Sequence, residues 1–244
     1  MNQLVVEKQA AQFRAELGLS NTESIPLRSL LLKLEVLTVF KPLDMDVSGI
    51  SIKSGDNNRF MLVNTARTLG HQHFTICHEL YHLFFQKNFD YQVCQVGKFD
   101  KKSKEEFFAD IFAAKFLIPD EGIVALIPDQ ELNQGLVSLG TILKLEQYFS
   151  CSRKALLNRL LELKLIRKKE EIAFGTHVQA HALQYGYSTK LYKKDLKTEV
   201  IGDYGDMAKK LFDAERISES HYLELLGDIG INFFDLGNDG EEKE

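Results

Sequence analysis

Cysteine and proline are scarce in this 244-residue chain, and a long apolar run is missing altogether. The three cysteines, Cys77, Cys94 and Cys151, are odd in number, widely spaced and form no CxxC pair. That excludes a disulfide scaffold and a cysteine-based zinc ribbon. With only four prolines, no repeats and no low-complexity tract, collagen-like and disordered classes are excluded too. No apolar stretch is long enough to span a bilayer, so no membrane partner is expected. The opening residues, MNQLVVEKQAAQ, lack the basic start and apolar block of a secretory signal, and the expected location is cytoplasmic. A basic excess is also missing. Thirty Lys and Arg face 35 Asp and Glu, a formal charge of −5, which argues against nucleic acid as the main partner. What is present, 44% hydrophobic and 27% charged residues, is the composition of a soluble globular protein with a sizeable core.

Hydrophobic spacing predicts a helix over 3–17, stopped by Gly18, and a second after Pro26 carrying Leu27, Leu30, Leu31 and Leu34. Three short β-prone runs follow: Val36–Phe40, Ile50–Lys53 and Phe60–Val63. A hairpin turn is expected at Gly55-Asp56-Asn57-Asn58. These runs predict a small, mostly antiparallel sheet of about three strands. From His73 the helical pattern returns, then a loop through Gly97, then a helix over about 103–117 that stops before Pro119. Residues 120–137 read as a loop or short turns, 138–168 as two or three helices, and 176–194 as lacking a clear period. Helical spacing resumes at 204–215 and 218–227, and the tail looks frayed.

The first apolar helix contains His78-Glu79-Leu80-Tyr81-His82, an HExxH motif. At i and i+4 both imidazoles share one helix face and can meet one metal ion. Glu79 lies about 100° around the helix. It can reach a water on the metal without taking a coordination position, the placement of a general base. The flanking Ile76, Leu80, Leu83 and Phe84 mark the helix as buried, and two buried histidines beside a buried glutamate need a partner.

A third ligand is sought on the next helix. Glu106, 24 residues after His82, is the leading candidate. Asp110, one turn on, would fix the tautomer of a ligand histidine. Ala109 between them lets the helices approach closely. A competing reading exists, because Ser103-Lys104-Glu105-Glu106 is also a capping box, in which Glu106 would serve the helix end. Glu105 and Asp110 are then the alternative ligands.

HFTICHELYHLFF followed by EEFFADIFAAKFLIP is similar to the ImmA/IrrE metallopeptidases. Their pattern is FT-x-x-HE-x-x-H and then E-x-x-A-(N/D)-x-FAA-x-x-L-x-P. The chain matches it at Phe74, Thr75, His78, Glu79, His82, Glu106, Ala109, Asp110 and on through Pro119, and Leu62-Val63-Asn64 resembles the family's last strand. Tyr81 departs from it, standing where members often carry Gly; it should face away from the metal. The resemblance implies Zn²⁺, a zincin-like α+β core, cytoplasmic location and a protein substrate such as a helix-turn-helix repressor or antitoxin-like regulator.

Other residues were weighed against this centre. His71 and His73 precede the motif and are candidate oxyanion stabilisers, with helix capping as the competing role. Cys94 lies between the two helices as an alternative zinc thiolate, and Cys77 reads as core. His177 and His181 make no convincing second site. Residues 139–169 read helix, tight turn, helix, capped at Ser152 and bearing Arg153, Lys154, Arg159, Lys164, Arg167, Lys168 and Lys169. Either this pair packs on the core or it reads DNA, and packing is the preferred reading. The expected layout is a metallopeptidase core at 1–120, a helix-turn-helix-like segment at 121–170, and a helical C-terminal region at 171–244. The expected function is zinc-dependent hydrolysis of a peptide bond, with a DNA- or protein-binding module carrying a structural or latent metal site as the alternative.

Overall fold

The computed structural model describes residues 2–43, 46–55, 58–87, 91–95 and 104–231, with 91–95 described by backbone alone. Helix α1 (Gln3–Glu16) starts where the Asn2 side chain accepts a hydrogen bond from the Leu4 amide. Helix α2 (Leu27–Lys33) begins directly after Pro26, whose fixed φ suits a helix start. Strands β1 (Val36–Lys41), β2 (Val47–Ser54) and β3 (Asn58–Asn64) follow, and β2 and β3 form the expected hairpin. Asp56 and Asn57, two of its expected turn residues, lie outside the described residues.

The sheet is mixed and has five strands in the order β4-β2-β3-β1-β5. Its β1–β3 pair is parallel, from Val36 opposite Arg59 to Lys41 opposite Asn64, and the other pairings are antiparallel. Two strands were missed in the sequence. Strand β4 (Tyr91–Gln95) falls in the stretch read as a loop, and β5 (Glu199–Ile201) is only three residues long. Neither is long enough to show a period. Pairing with β2 and with β1 makes each of them a strand.

Helix α3 (Leu69–Phe84) starts four residues before His73 and crosses β2 and β3. Helix α4 (Lys104–Leu117) packs along it and along α1. The interface is aromatic: Phe85 lies 4.9 Å from Phe112 between ring centroids, Phe112 5.2 Å from Phe116, and Phe13 5.2 Å from Phe85. Ala109 and Ala113 are fully buried and allow the close approach. Arg14, also fully buried, donates to the carbonyls of Phe116 at 2.6 Å and Ser20 at 2.6 Å, and to that of Glu23. It ties α1 to the end of α4.

Beyond Pro119 the expected loop is instead two short helices, α5 (Asp120–Leu126) and α6 (Asp129–Gln134). Each follows a proline, so both Pro-Asp pairs are helix starts rather than turns. Helices α7 (Leu139–Phe149), α8 (Arg153–Glu162), α9 (Lys168–Phe174) and α10 (Val178–Gln184) come next, then a 3₁₀ turn at Lys190–Tyr192. Helix α10 occupies part of the stretch that showed no period. Helices α11 (Tyr204–Asp213) and α12 (Glu219–Asp228) pair at the end.

Across the boundary expected at 120 the core is continuous. Ile142, Leu145, Phe149, Leu156 and Leu160 belong to the same buried cluster as Ile76, Leu80 and Phe112, and so does Ile201 of β5. Among the described residues no helix is long and apolar enough to cross a membrane.

Candidate metal centre

Helix α3 is apolar on nearly every side because it is enclosed by the sheet, α4 and the turn between α7 and α8. Its first turn passes so close to that turn that a Cβ on Gly70 would lie 2.7 Å from the Ser152 amide nitrogen. Burial reaches the polar residues as well: Glu79 and His82 are 0% exposed and His78 is 3% exposed. The i, i+4 spacing brings the Nε2 atoms of His78 and His82 to 3.1 Å from each other.

Glu106, in the first turn of α4, meets both rings. One carboxylate oxygen is 3.2 Å from His78 Nε2 and the other 3.3 Å from His82 Nε2. Of the three carboxylates weighed for this position, Glu106 is the one that joins the two imidazoles. Asp110 lies behind His78, its Oδ1 3.0 Å from Nδ1. Glu105 accepts a hydrogen bond from the Tyr81 hydroxyl at 3.0 Å. Ser103, the cap in the competing reading, lies outside the described residues.

Proton placement decides what this arrangement can hold. His78 Nδ1 faces Asp110, and His82 Nδ1 faces the Gln86 side-chain oxygen. Both partners are acceptors, so the proton of each neutral ring belongs on Nδ1. Both Nε2 lone pairs then point into the space that the Glu106 carboxylate faces. Ligand atoms of His78, His82 and Glu106 lie within 4.8 Å of one another. Converging lone pairs beside an anion repel one another unless a cation sits among them, and two imidazoles with one carboxylate are donors suited to a divalent ion. Burial pushes the Glu106 carboxyl up; when the two rings are instead protonated, Nε2–H bonds and positive charge from His78 and His82 outweigh it and hold the group well below the usual carboxylate range.

Glu79 is pinned from the sheet. Ser51 Oγ on β2 donates to its Oε2 at 2.5 Å, while Oε1 is buried with no hydrogen-bond partner. Burial raises its pKa, against lowering contributions from His78, His82 and Ser51. The fit depends on Gly49, where a Cβ would stand 3.2 Å from Oε1 and 2.7 Å from Thr75 Cγ2. A buried carboxylate oxygen without a donor thus stands beside the His78, His82 and Glu106 cluster.

A peptidase family described as the IrrE N-terminal-like domain matches residues 33–161, just over half of the chain. The chain belongs to this family. No curated protein matches it. The IrrE-like match spans β1 to β3, the helices α3 and α4 that carry the cluster, and α7 and α8, and it supports a metallopeptidase-type function. Together with the His78, His82 and Glu106 cluster it makes a metal-dependent peptidase the coarse assignment.

The remaining weighed residues lie elsewhere in this IrrE-like fold. His73 Nδ1 is 2.7 Å from the Ser150 carbonyl, and His71 Nε2 is 3.1 Å from Ser48 Oγ. Neither joins the His78, His82 and Glu106 cluster. Burial lowers the pKa of both rings. Tyr81 is fully buried and packs 5.8 Å from Phe112 between ring centroids, with its hydroxyl on Glu105. Cys94 stands opposite Gly49 in the β2–β4 register, and its side chain is outside the described atoms. Cys77 and Cys151 are buried, and burial pushes both thiols up. The rings of His177 and His181 are 6.3 Å apart, and no third ligand gathers near them among the described residues.

The α7–α8 pair has the expected helix, turn, helix shape, with Ser152 capping the Ala155 amide. Two of its cations point inward. Arg153 grips Glu146 through two hydrogen bonds of 2.5 and 2.6 Å, and Arg159 reaches the Ile118 carbonyl and pairs with Asp120 and Glu162. Gln86 and Ser51 join the site without belonging to the motif. Gln86 carried a usable signal, standing four residues after His82. Ser51 carried none, since only the fold brings β2 beneath α3.

Proposed function

We propose that the chain is a cytoplasmic zinc-dependent endopeptidase that hydrolyses a peptide bond in a regulatory protein, of the repressor or antitoxin-like kind. The observation that carries this reading is the convergence of two Nε2 lone pairs and the Glu106 carboxylate beside the orphaned Oε1 of Glu79. His78, His82 and Glu106 would hold Zn²⁺. Bound there, the ion supplies Lewis acidity, bringing the pKa of a water toward neutrality and polarising the scissile carbonyl.

The chain's own groups do the rest. Asp110 and Gln86 hold the two rings in the tautomer that frees Nε2. Ser51 fixes one oxygen of Glu79, leaving Oε1 to take the proton from the attacking water. The same oxygen returns that proton to the leaving nitrogen. Burial raises the proton affinity of Glu79, the direction that suits a group that must take a proton and return it. The repressor-like substrate rests on the family resemblance alone.

The test is Glu79→Gln. It keeps the volume and removes the base, so zinc content should match the parent chain while casein hydrolysis falls at least a hundredfold. Hydrolysis that persists in this variant overturns the general-base role. Metal analysis of Glu106→Ala supplies the companion result, a loss of zinc after gel filtration; undiminished zinc there would make Glu106 a helix-capping residue.

A further inference from the structure

Glu79 is held by one strand. Ser51 of β2 donates to its Oε2, and Gly49 of β2 gives its Oε1 room. Ser48 of the same strand contacts His71, two helical turns before His78. An extended polypeptide binds a sheet by pairing its main chain with an edge strand, about 4.8 Å away. One flank of β2 is taken by β3, so the flank open to such pairing is the other.

That flank is already covered. Strand β4 pairs along it, with Tyr91 opposite Ile52, Gln92 opposite Ser51, Val93 opposite Ile50 and Cys94 opposite Gly49. The chain reaches β4 from the helix that carries His82 and goes on to the helix that carries Glu106. The pairing spans five residues and its register shifts between Val47 and Gly49. A shift of this kind breaks the ladder locally. A short outer strand whose ladder is interrupted at one end has few bonds to hold it, and Glu79, against the strand it covers, has no exposure at all.

We propose that β4 is an internal occupant of the edge at which an extended segment of a protein substrate pairs with β2, and that the substrate engages this edge by displacing it. The word substrate rests on the peptidase reading; the occupancy of the edge does not. The partner's chemistry follows from the surface: a β-prone, extended stretch of polypeptide recognised mainly through its main chain.

The test uses the full chain, zinc-loaded, in a Glu79→Gln and Cys94→Ser background. Ile50 and Val93 stand directly opposite in register, and opposed residues of an antiparallel pair have Cα atoms about 4.5–5.5 Å apart, within reach of a disulfide. Ile50 alternates with Gly49 and Ser51, so a bridge there lies on the face away from Glu79. Ile50→Cys with Val93→Cys should therefore lock β4 in place. The single variant Val93→Pro should loosen it by removing a main-chain donor. The probe is a fluorescein-labelled synthetic peptide with the sequence of residues 88–97, followed by anisotropy. The loosened variant should bind it at least tenfold more tightly than the parent. The locked variant should show no binding until a phosphine reductant opens the bridge.

Equal binding by locked and reduced protein overturns the proposal, and so keeps it falsifiable if Val93→Pro misfolds. A second arm restores Glu79 and measures casein hydrolysis. The lock should lower the rate at least tenfold, reversibly, and an unchanged rate also overturns the proposal. If no form cuts casein while the peptide binds as expected, the edge inference stands and the peptidase reading is what fails.

Discussion

Ser51 shows how much a single hydroxyl can contribute at this centre. Its hydrogen bond to the Glu79 carboxylate is short and buried, and such bonds to charged groups contribute about 1.5–3 kcal/mol. Without it, Glu79 has lost the contact that aims its other oxygen. Ser51→Ala is expected to lower kcat by about ten- to a hundredfold with zinc content unchanged, since Ser51 is not one of the cluster residues His78, His82 and Glu106. Parallel measurement of kcat and bound zinc checks this. A variant that loses zinc as well would make Ser51 a structural residue. The contrast with His78 and His82 is instructive. Their convergence is legible from spacing alone, because i and i+4 guarantees a shared helix face. Ser51 is 28 positions from Glu79 and meets it only through the packing of a helix on a sheet, which no local pattern encodes.

At the scale of elements, the α7–α8 pair is tied inward by a buried ion pair. Arg153 and Glu146 are both nearly or fully buried, and the Tyr192 hydroxyl also reaches Glu146. This joins two helices to the 3₁₀ turn that leads to β5. Removing one partner of a buried pair strands the other charge and costs about 3–5 kcal/mol. Arg153→Ala should therefore lower the urea midpoint substantially. Arg153→Met with Glu146→Leu should recover much of the loss, as apolar replacement of a whole buried pair often does. Equilibrium denaturation of both variants decides it; equal loss in the double variant would show that packing, not the stranded charge, is responsible. Basic residues at 153–169 looked like a single patch in the sequence because periodicity assigns faces only approximately. Arg153 and Arg159 are spent inside the fold, while Lys164 and Lys168 are exposed. The same limit hid β4 and β5. A strand of three or five residues is made by its neighbour in the sheet, and that neighbour is a long way off in the chain.

For the whole molecule, pH acts on stability through half-buried histidines outside the His78, His82 and Glu106 cluster. His73 contacts the Ser150 carbonyl, and burial depresses its pKa. His71 is depressed by burial and by the nearby charges of Arg67 and Lys154. In the unfolded chain both rings titrate near 6.5. The sign follows from proton counting. As pH falls through about 6.5, the unfolded chain takes up protons that the folded chain refuses, so folding loses stability until the folded pKa values are reached. The contribution is complete above that window and is lost on acidification. One whole proton is worth about 1.4 kcal/mol per pH unit, and partial exposure of the rings reduces the effect below that. Urea unfolding at pH 8, 7, 6 and 5.5 should give midpoints that decline below about 6.5. His73→Gln should flatten that decline, and comparing slopes cancels what the rest of the chain contributes to both proteins. A slope unchanged by His73→Gln would mean that His73 titrates alike in the folded and unfolded chain. The effect reaches across the molecule because Ser150 lies in the α7–α8 turn, so a proton on α3 bears on the contact that joins the HExxH helix to the helices after it.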